Sequence, residues 1–252
     1  MKIEDLCFEK HTSIGIIKST LVIYGVSIIR NFFTKEEVKN LDDELKPVFD
    51  TLDYGAVGSL DTGPLRIQEN IYQPGKALRI APPSYDRFIN LQNCFVNNDF
   101  LNNIVNSFYG TPNNKFMQVF AYHDTITRNK KWVDGMNHAG GLHFDPFQSL
   151  KFATYLTDVS IKNGMTRVIP KSQNEGAYFR LHELKETMWE NKPVLDCHAP
   201  FKFSSYTKED AICPEVSAGD LVIFDTDCWH AGGEILEAGL ERKCIIFHNR
   251  KN

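Results

Sequence analysis

The first sustained apolar run, Leu21 to Ile29, is rich in β-branched residues and predicts a strand. The period then changes. Thr34-Lys35-Glu36-Glu37 is a capping box, in which the Thr hydroxyl accepts from a free backbone amide and Glu37 reaches back, while Phe33 and Val38 occupy the staple positions. Val38, Leu41, Leu45 and Val48 share one helical face, and Pro47 with the polar residues beyond it is expected to end the helix. A second helix is predicted over Asp99 to Tyr109, with Leu101, Ile104, Val105 and Phe108 as its buried stripe and Gly110 as its cap.

Beyond Gly110 the pattern becomes short β runs broken by turn residues: Phe116 to His123, Leu150 to Val159, Thr166 to Pro170, Asp220 to Phe224 and Lys243 to His248. Asn163-Gly164 is a hairpin-type turn signal between two of them. Such punctuation predicts a sandwich or barrel, so the expected class is mainly β with flanking helices. No repeat or long linker divides the chain. It reads as a single domain over 1–252, with an N-terminal strand and helical portion at 1–112 and a β core at 113–252. The core carries an insert at 172–214 with a helix expected near Leu181 to Glu190, an excursion of the size used for lids and binding loops.

Composition narrows the class. A chain of 252 residues buries enough surface to need no disulfide staples. The six cysteines form no Cys-x-x-Cys pair and read as reduced thiols in a cytoplasmic protein. A net charge of −4 argues against a nucleic-acid partner. The longest apolar run falls far short of the roughly 20 residues that span a bilayer, so no membrane partner is expected. Met1 to Asp5 is acidic and lacks the apolar run of a secretion signal. The 18 Phe point to an aromatic core between sheet and helices.

His143-Phe144-Asp145 places two metal-capable side chains at i and i+2, which share a face on a strand. Downstream, His230 follows the strand Leu221-Val222-Ile223-Phe224. Two imidazoles and one carboxylate on one side of a metal make the facial triad of non-heme Fe(II) oxygenases. A surface His-Asp pair fits the same residues. Arg242, at the start of the strand Lys243 to His248, is the natural bidentate partner for a carboxylate such as the far end of 2-oxoglutarate; pairing with Glu241 or Glu237 in solvent is the plain alternative.

With these residues in view, the sequence resembles the phytanoyl-CoA dioxygenase family of Fe(II)/2-oxoglutarate oxygenases over most of its length. Four segments carry the likeness in order: Gly25 to Thr34, Gly141 to Asp145, Asn163 to Ser172 and Ala218 to His230. The resemblance implies a double-stranded β-helix, or jelly roll, with the N-terminal helices packed outside. It implies iron on His143, Asp145 and His230, with Arg242 binding the distal carboxylate of the 2-oxoglutarate co-substrate, and O2 as oxidant. Gln118 and Thr154, on strands expected to line the pocket, are candidates for further co-substrate contacts; polar residues facing solvent is the competing reading. Phe144, Trp229 and His138 are candidates for contact with a small-molecule substrate; for His138, a loop histidine without a role is the competing reading. In the related halogenases Gly or Ala stands where Asp145 stands, so hydroxylation is favoured over halogenation.

Weaker candidates complete the set. His248 and Cys244 lie in period-2 register with Arg242, with core filling as the equal reading, and Arg66, Arg79 and Arg128 are potential anchors for an anionic substrate, with plain surface solvation as the competing reading. Two other classes use the same residues: a cupin-like zinc hydrolase or isomerase without co-substrate, and a catalytically silent binding protein of the same fold. The first leaves Arg242 unexplained.

Overall fold

The apolar run near the N-terminus divides at Gly25. In the computed structural model, which describes residues 2–60, 66–69, 75–81, 84–111, 115–125, 141–189, 203–233 and 235–250, helix α1 (Ile14–Tyr24) precedes Gly25 and strand β2 (Val26–Arg30) follows it. The predicted strand is thus half helix. Ile17, Thr20 and Leu21 recur at helical spacing and are buried, and that tertiary burial overrides the strand preference of the β-branched residues. Gly25 caps the helix at φ 72°, and a Cβ there would lie 2.1 Å from Cys228 Sγ.

Helix α2 (Lys35–Phe49) starts at the expected capping box: Glu37 N donates to Thr34 Oγ1 at 3.2 Å, and Thr34 N donates to Glu37 Oε2 at 2.7 Å. It passes through Pro47 instead of stopping there, because Phe49 is buried in the core and Asp50 N still closes onto Lys46 O at 2.9 Å. Helix α3 (Ile89–Leu91) continues into a π-helical turn over Gln92–Val96. The Glu44 carboxylate accepts from Asn90 N and Leu91 N, satisfying donors that the helix start leaves free. Helix α4 (Asp99–Tyr109) has the predicted bounds, with Asn98 and Gly110 as its caps.

The remaining strands are β1 (Cys7–Glu9), β3 (Ala56–Leu60), β4 (Arg66–Glu69), β5 (Gly75–Ile80), β6 (Lys115–Thr125), β7 (Leu150–Tyr155), β8 (Arg167–Val168), β9 (Leu221–Asp225), β10 (His230–Ala231) and β11 (Glu241–Arg250). Nine of the eleven described strands form one mixed sheet in the order β1-β2-β9-β7-β11-β6-β5-β3-β4. The second sheet pairs β8 with β10 and is widened by bridges from His143 to His230 and from Val168 to Ile212. Gly164 does turn at φ 87°, yet the strands flanking it, β7 and β8, enter different sheets, so the turn closes no hairpin. Helix α5 (Gln173–Trp189) opens the insert, earlier than expected.

Each face of the large sheet has a distinct partner. Residues paired across strands share a face. Ile245 pairs with Ala121 and Thr154, and Phe247 with Val119 and Phe152; apart from Thr154, these join residues of α1, α2 and α4 in an aromatic core where Phe95 stacks on Phe247 at 4.0 Å. Cys244, Ala153, Tyr155, Val222 and Phe224 project from the other face and pack against Val168 of the small sheet. β7 and β9 are therefore buried throughout, which is why their sequences run apolar instead of alternating. The architecture is a double-stranded β-helix with the N-terminal helices outside. Among the described residues, no helix is long and apolar enough to cross a membrane, and the cysteines described as free are Cys7, Cys94, Cys213, Cys228 and Cys244.

Candidate metal centre

His143 and His230 are held together by the backbone. His143 N donates to His230 O at 3.0 Å and His230 N donates to His143 O at 2.8 Å, a reciprocal pair that puts both side chains on one face. Their rings lie 4.4 Å apart. Asp145, two residues on, returns to that face, and its backbone N donates to Thr226 O at 3.1 Å in the turn that precedes β10. One potential ligand atom from each of the three residues lies within 4.8 Å of the others.

The backbone also sets the tautomers. A carbonyl oxygen only accepts, so Nδ1–H of His143 donates to Gly141 O at 3.0 Å and Nδ1–H of His230 donates to Cys228 O at 2.8 Å. Both rings are left with Nε2 as the lone-pair nitrogen. His230 Nε2 lies 3.4 Å from Asp145 Oδ1, and His143 Nε2 lies 3.9 Å from it. A carbonyl that fixes ring orientation in this way is the usual support of a metal-binding histidine.

Electrostatics complete the donor set. Burial, with the neighbouring His230 and Lys151, pulls His143 down to about 3, and burial with Lys151 lowers His230 as well. Burial alone would raise Asp145, but the Lys151 ammonium and His230 beside it hold its carboxyl well below the ordinary carboxylate range. At neutral pH the site therefore offers two neutral imidazoles and one carboxylate. No proton has to leave before a cation binds.

A match to the phytanoyl-CoA dioxygenase (PhyH) family model over residues 23–244 accounts for this arrangement and for most of the chain. The chain belongs to the phytanoyl-CoA dioxygenase family. No curated protein sequence matches it. Solved structures share its fold. SnoN, a non-heme alpha ketoglutarate dependent epimerase from nogalamycin biosynthesis solved with Fe3+, alpha ketoglutarate and nogalamycin RO, is 13% identical, with 94% of this chain and 83% of that chain covered at TM-score 0.61. EvdO2 from Micromonospora carbonacea var. aurantiaca, complexed with 2-oxoglutarate, is 12% identical, with coverage of 93% and 89% at TM-score 0.57. AviO1 from Streptomyces viridochromogenes Tue57 is 12% identical, with 95% of both chains covered at TM-score 0.56.

Set in this family's fold, the other candidate residues separate into three groups. Arg242 and Gln118 project from the same face of the large sheet as Cys244 and His248. The Arg242 guanidinium is buried. It donates from Nε and Nη2 to Asp124, its register partner on β6, and from Nη1 to the carbonyls of Gly164 and Gly233. Neither expected surface partner takes it, since Glu241 pairs with His123 and Glu237 with Lys162. Gln118 Oε1 accepts from Arg79 Nε at 3.0 Å, and Gln118 is the register partner of His248.

Thr154, Phe144 and Trp229 face elsewhere. Thr154 sits one residue out of phase with Lys151 and Tyr155, so it joins the helix-facing side and its hydroxyl donates to Asp220 O at 2.9 Å. Phe144 and Trp229 are fully buried behind the ligand-bearing strands, their rings 5.3 Å apart, with Phe179 of α5 against both. They are a wedge that seats α5 on the small sheet, not a substrate surface. Arg180 on α5 reinforces it with a bidentate pair to Asp227 in the turn before β10. His138 and Arg128 lie outside the described residues.

One residue of the centre escaped the sequence reading. Lys151 Nζ lies 2.9 Å from Asp145 Oδ2 and 3.2 Å from His230 Nε2. The signal was present: Lys151 is the single charged residue between Asp145 and Asp158, inside a run that otherwise reads as buried strand. A buried ammonium against one carboxylate and one imidazole lone pair shows that these donors already accept a positive charge. The donor set and the fixed tautomers fit a divalent metal on His143, Asp145 and His230.

Proposed function

We propose that this protein is an Fe(II)- and 2-oxoglutarate-dependent dioxygenase that hydroxylates an unactivated C–H bond of a small molecule. The observation that carries the reading is the convergence of two imidazole Nε2 atoms and one carboxylate on a single face, in a chain of the phytanoyl-CoA dioxygenase family. Iron bound there would supply, with 2-oxoglutarate and O2, the oxidising power to take hydrogen from carbon, releasing succinate and carbon dioxide.

The chain's own residues bind and orient. His143 and His230 are pinned by carbonyls, and Asp145 fills the third position with a carboxylate, which favours oxygen insertion over halide transfer. Arg242 is assigned to the distal carboxylate of the co-substrate: its Nη1 meets the carbonyl of Gly233, close after His230, so the guanidinium lies on the metal side of the large sheet. Gln118 belongs to the same inner face. The fold similarity to SnoN, described as an epimerase, supports a second outcome in which hydrogen is removed and returned without oxygen insertion.

The test needs no substrate. Iron-loaded protein with 2-oxoglutarate and O2 should form succinate slowly and without coupling to a substrate, and His143→Ala should abolish it. Succinate formation that persists in His143→Ala would overturn the assignment. Oxygen-18 incorporation into the product of a substrate found by screening then separates hydroxylation from epimerisation.

A further inference from the structure

Lys151 stands on β7 with its side chain on the inner face, in register with His248 of β11 and Phe224 of β9. Its ammonium occupies the vertex shared by Asp145 and His230, the position for which a metal ion must compete. Asp145 turns Oδ1 toward the two histidines and Oδ2 toward Lys151, so a divalent cation bound there would share the one carboxylate with the ammonium, whose other neighbours, the Phe224 ring 5.8 Å away and the neutral imidazole of His248, bring no negative charge. A buried ammonium that shares its single carboxylate with a dication is short of negative charge, which is strongly disfavoured. At the other end of the face the Arg242 charge is already balanced by Asp124. A dianionic co-substrate therefore brings the negative charge that Lys151 would lack, at the end nearest the metal.

We propose that Lys151 Nζ is the counter-ion of the metal-proximal carboxylate of 2-oxoglutarate, turning from Asp145 to that carboxylate when metal and co-substrate are bound. This rests on the reading of the centre as an iron and 2-oxoglutarate site. It gives Lys151 opposite effects on the two ligands: the ammonium competes with the metal and attracts the co-substrate. A purely structural lysine would support both or neither.

The experiment compares wild type with Lys151→Met, which keeps the length of the chain and removes the charge. Fe(II) binding without co-substrate is measured anaerobically by equilibrium dialysis, and 2-oxoglutarate binding to the iron-loaded protein by the visible charge-transfer band. The expected result is Fe(II) binding several-fold tighter and 2-oxoglutarate binding about 10-fold or more weaker in the variant, the loss of one charge-assisted contact. Titration with 2-oxobutyrate, which has the proximal carboxylate alone, should show the same fold loss. Parallel weakening of metal and co-substrate, or unchanged 2-oxoglutarate affinity, would overturn the proposal. Wild type that holds iron yet gives no band would instead sink the reading of the centre itself. Lys151→Gln carries the same test if Lys151→Met does not fold.

Discussion

The two faces of β11 are built from alternate residues of one strand and obey different rules. Toward the helices, Ile245 and Phe247 meet other apolar side chains and fill space. Toward the small sheet, Arg242 and His248 flank Cys244 and Ile246, and the buried charges on that side are matched: Arg242 with Asp124, and Lys151 with Asp145. One face holds the fold and the other holds the chemistry. A single residue step separates them, so stability and function can be perturbed independently along one strand.

The largest break is at the donor set. His143→Ala should lose metal affinity by 100-fold or more while the melting temperature stays within a few degrees of wild type, as metal titration and calorimetry would register. On the helix side, Phe247→Ala should cost about 3–5 kcal/mol in denaturant unfolding, because it leaves a cavity beside Phe95 in a close-packed core. If the protein folds, its remaining metal affinity should be close to normal. Equal damage to both properties from either substitution would dissolve the distinction between the faces.

A smaller and pH-dependent effect is expected at Asp225. Burial first, then the charge of Asp227, raises its carboxyl to about 6 from an ordinary 3.8. The protonated form is the one the fold favours, so this stabilising contribution is complete below pH 4 and is lost as pH rises through about 6. Asp225→Asn, which keeps a neutral group, should therefore be more stable than wild type at pH 8 by up to about 3 kcal/mol, and the gap should close as pH falls toward 4. Unfolding curves at both pH values check the sign. The smallest effect belongs to Thr154→Val: removing its bond to Asp220 O should cost about 1 kcal/mol and leave 2-oxoglutarate affinity unchanged.

What the sequence made legible follows from how local each feature is. The α2 capping box, the α4 bounds and the Gly110 cap depend on neighbours a few residues apart, and they stand as read. The His143 and Asp145 pair was legible because residues at i and i+2 on an extended segment share a face whatever the rest of the chain does, and His230 joined it through the family resemblance. Features that depend on distant packing were not. Leu21 to Tyr24 are helical because Ile17, Thr20 and Leu21 are buried against the core. Thr154 was placed on the right strand and the wrong face, since a buried strand without polar alternation gives no phase. Phe144 and Trp229 sit beside ligands in sequence and behind them in space, for the same period-2 reason that puts His143 and Asp145 together. Lys151 shows the reverse: a charge in an apolar strand was visible, and its meaning appeared only when β7 brought it against β10.

The central claim is that His143, Asp145 and His230 form a metal centre that accepts a chelating 2-oxo acid. The direct measurement is anaerobic titration of the Fe(II)-loaded protein with 2-oxoglutarate, read by the visible charge-transfer band, in wild type and His230→Ala. The account predicts a saturable band in wild type and none in the variant. A folded, iron-loaded wild type with no band, or a band of equal strength in His230→Ala, would contradict it.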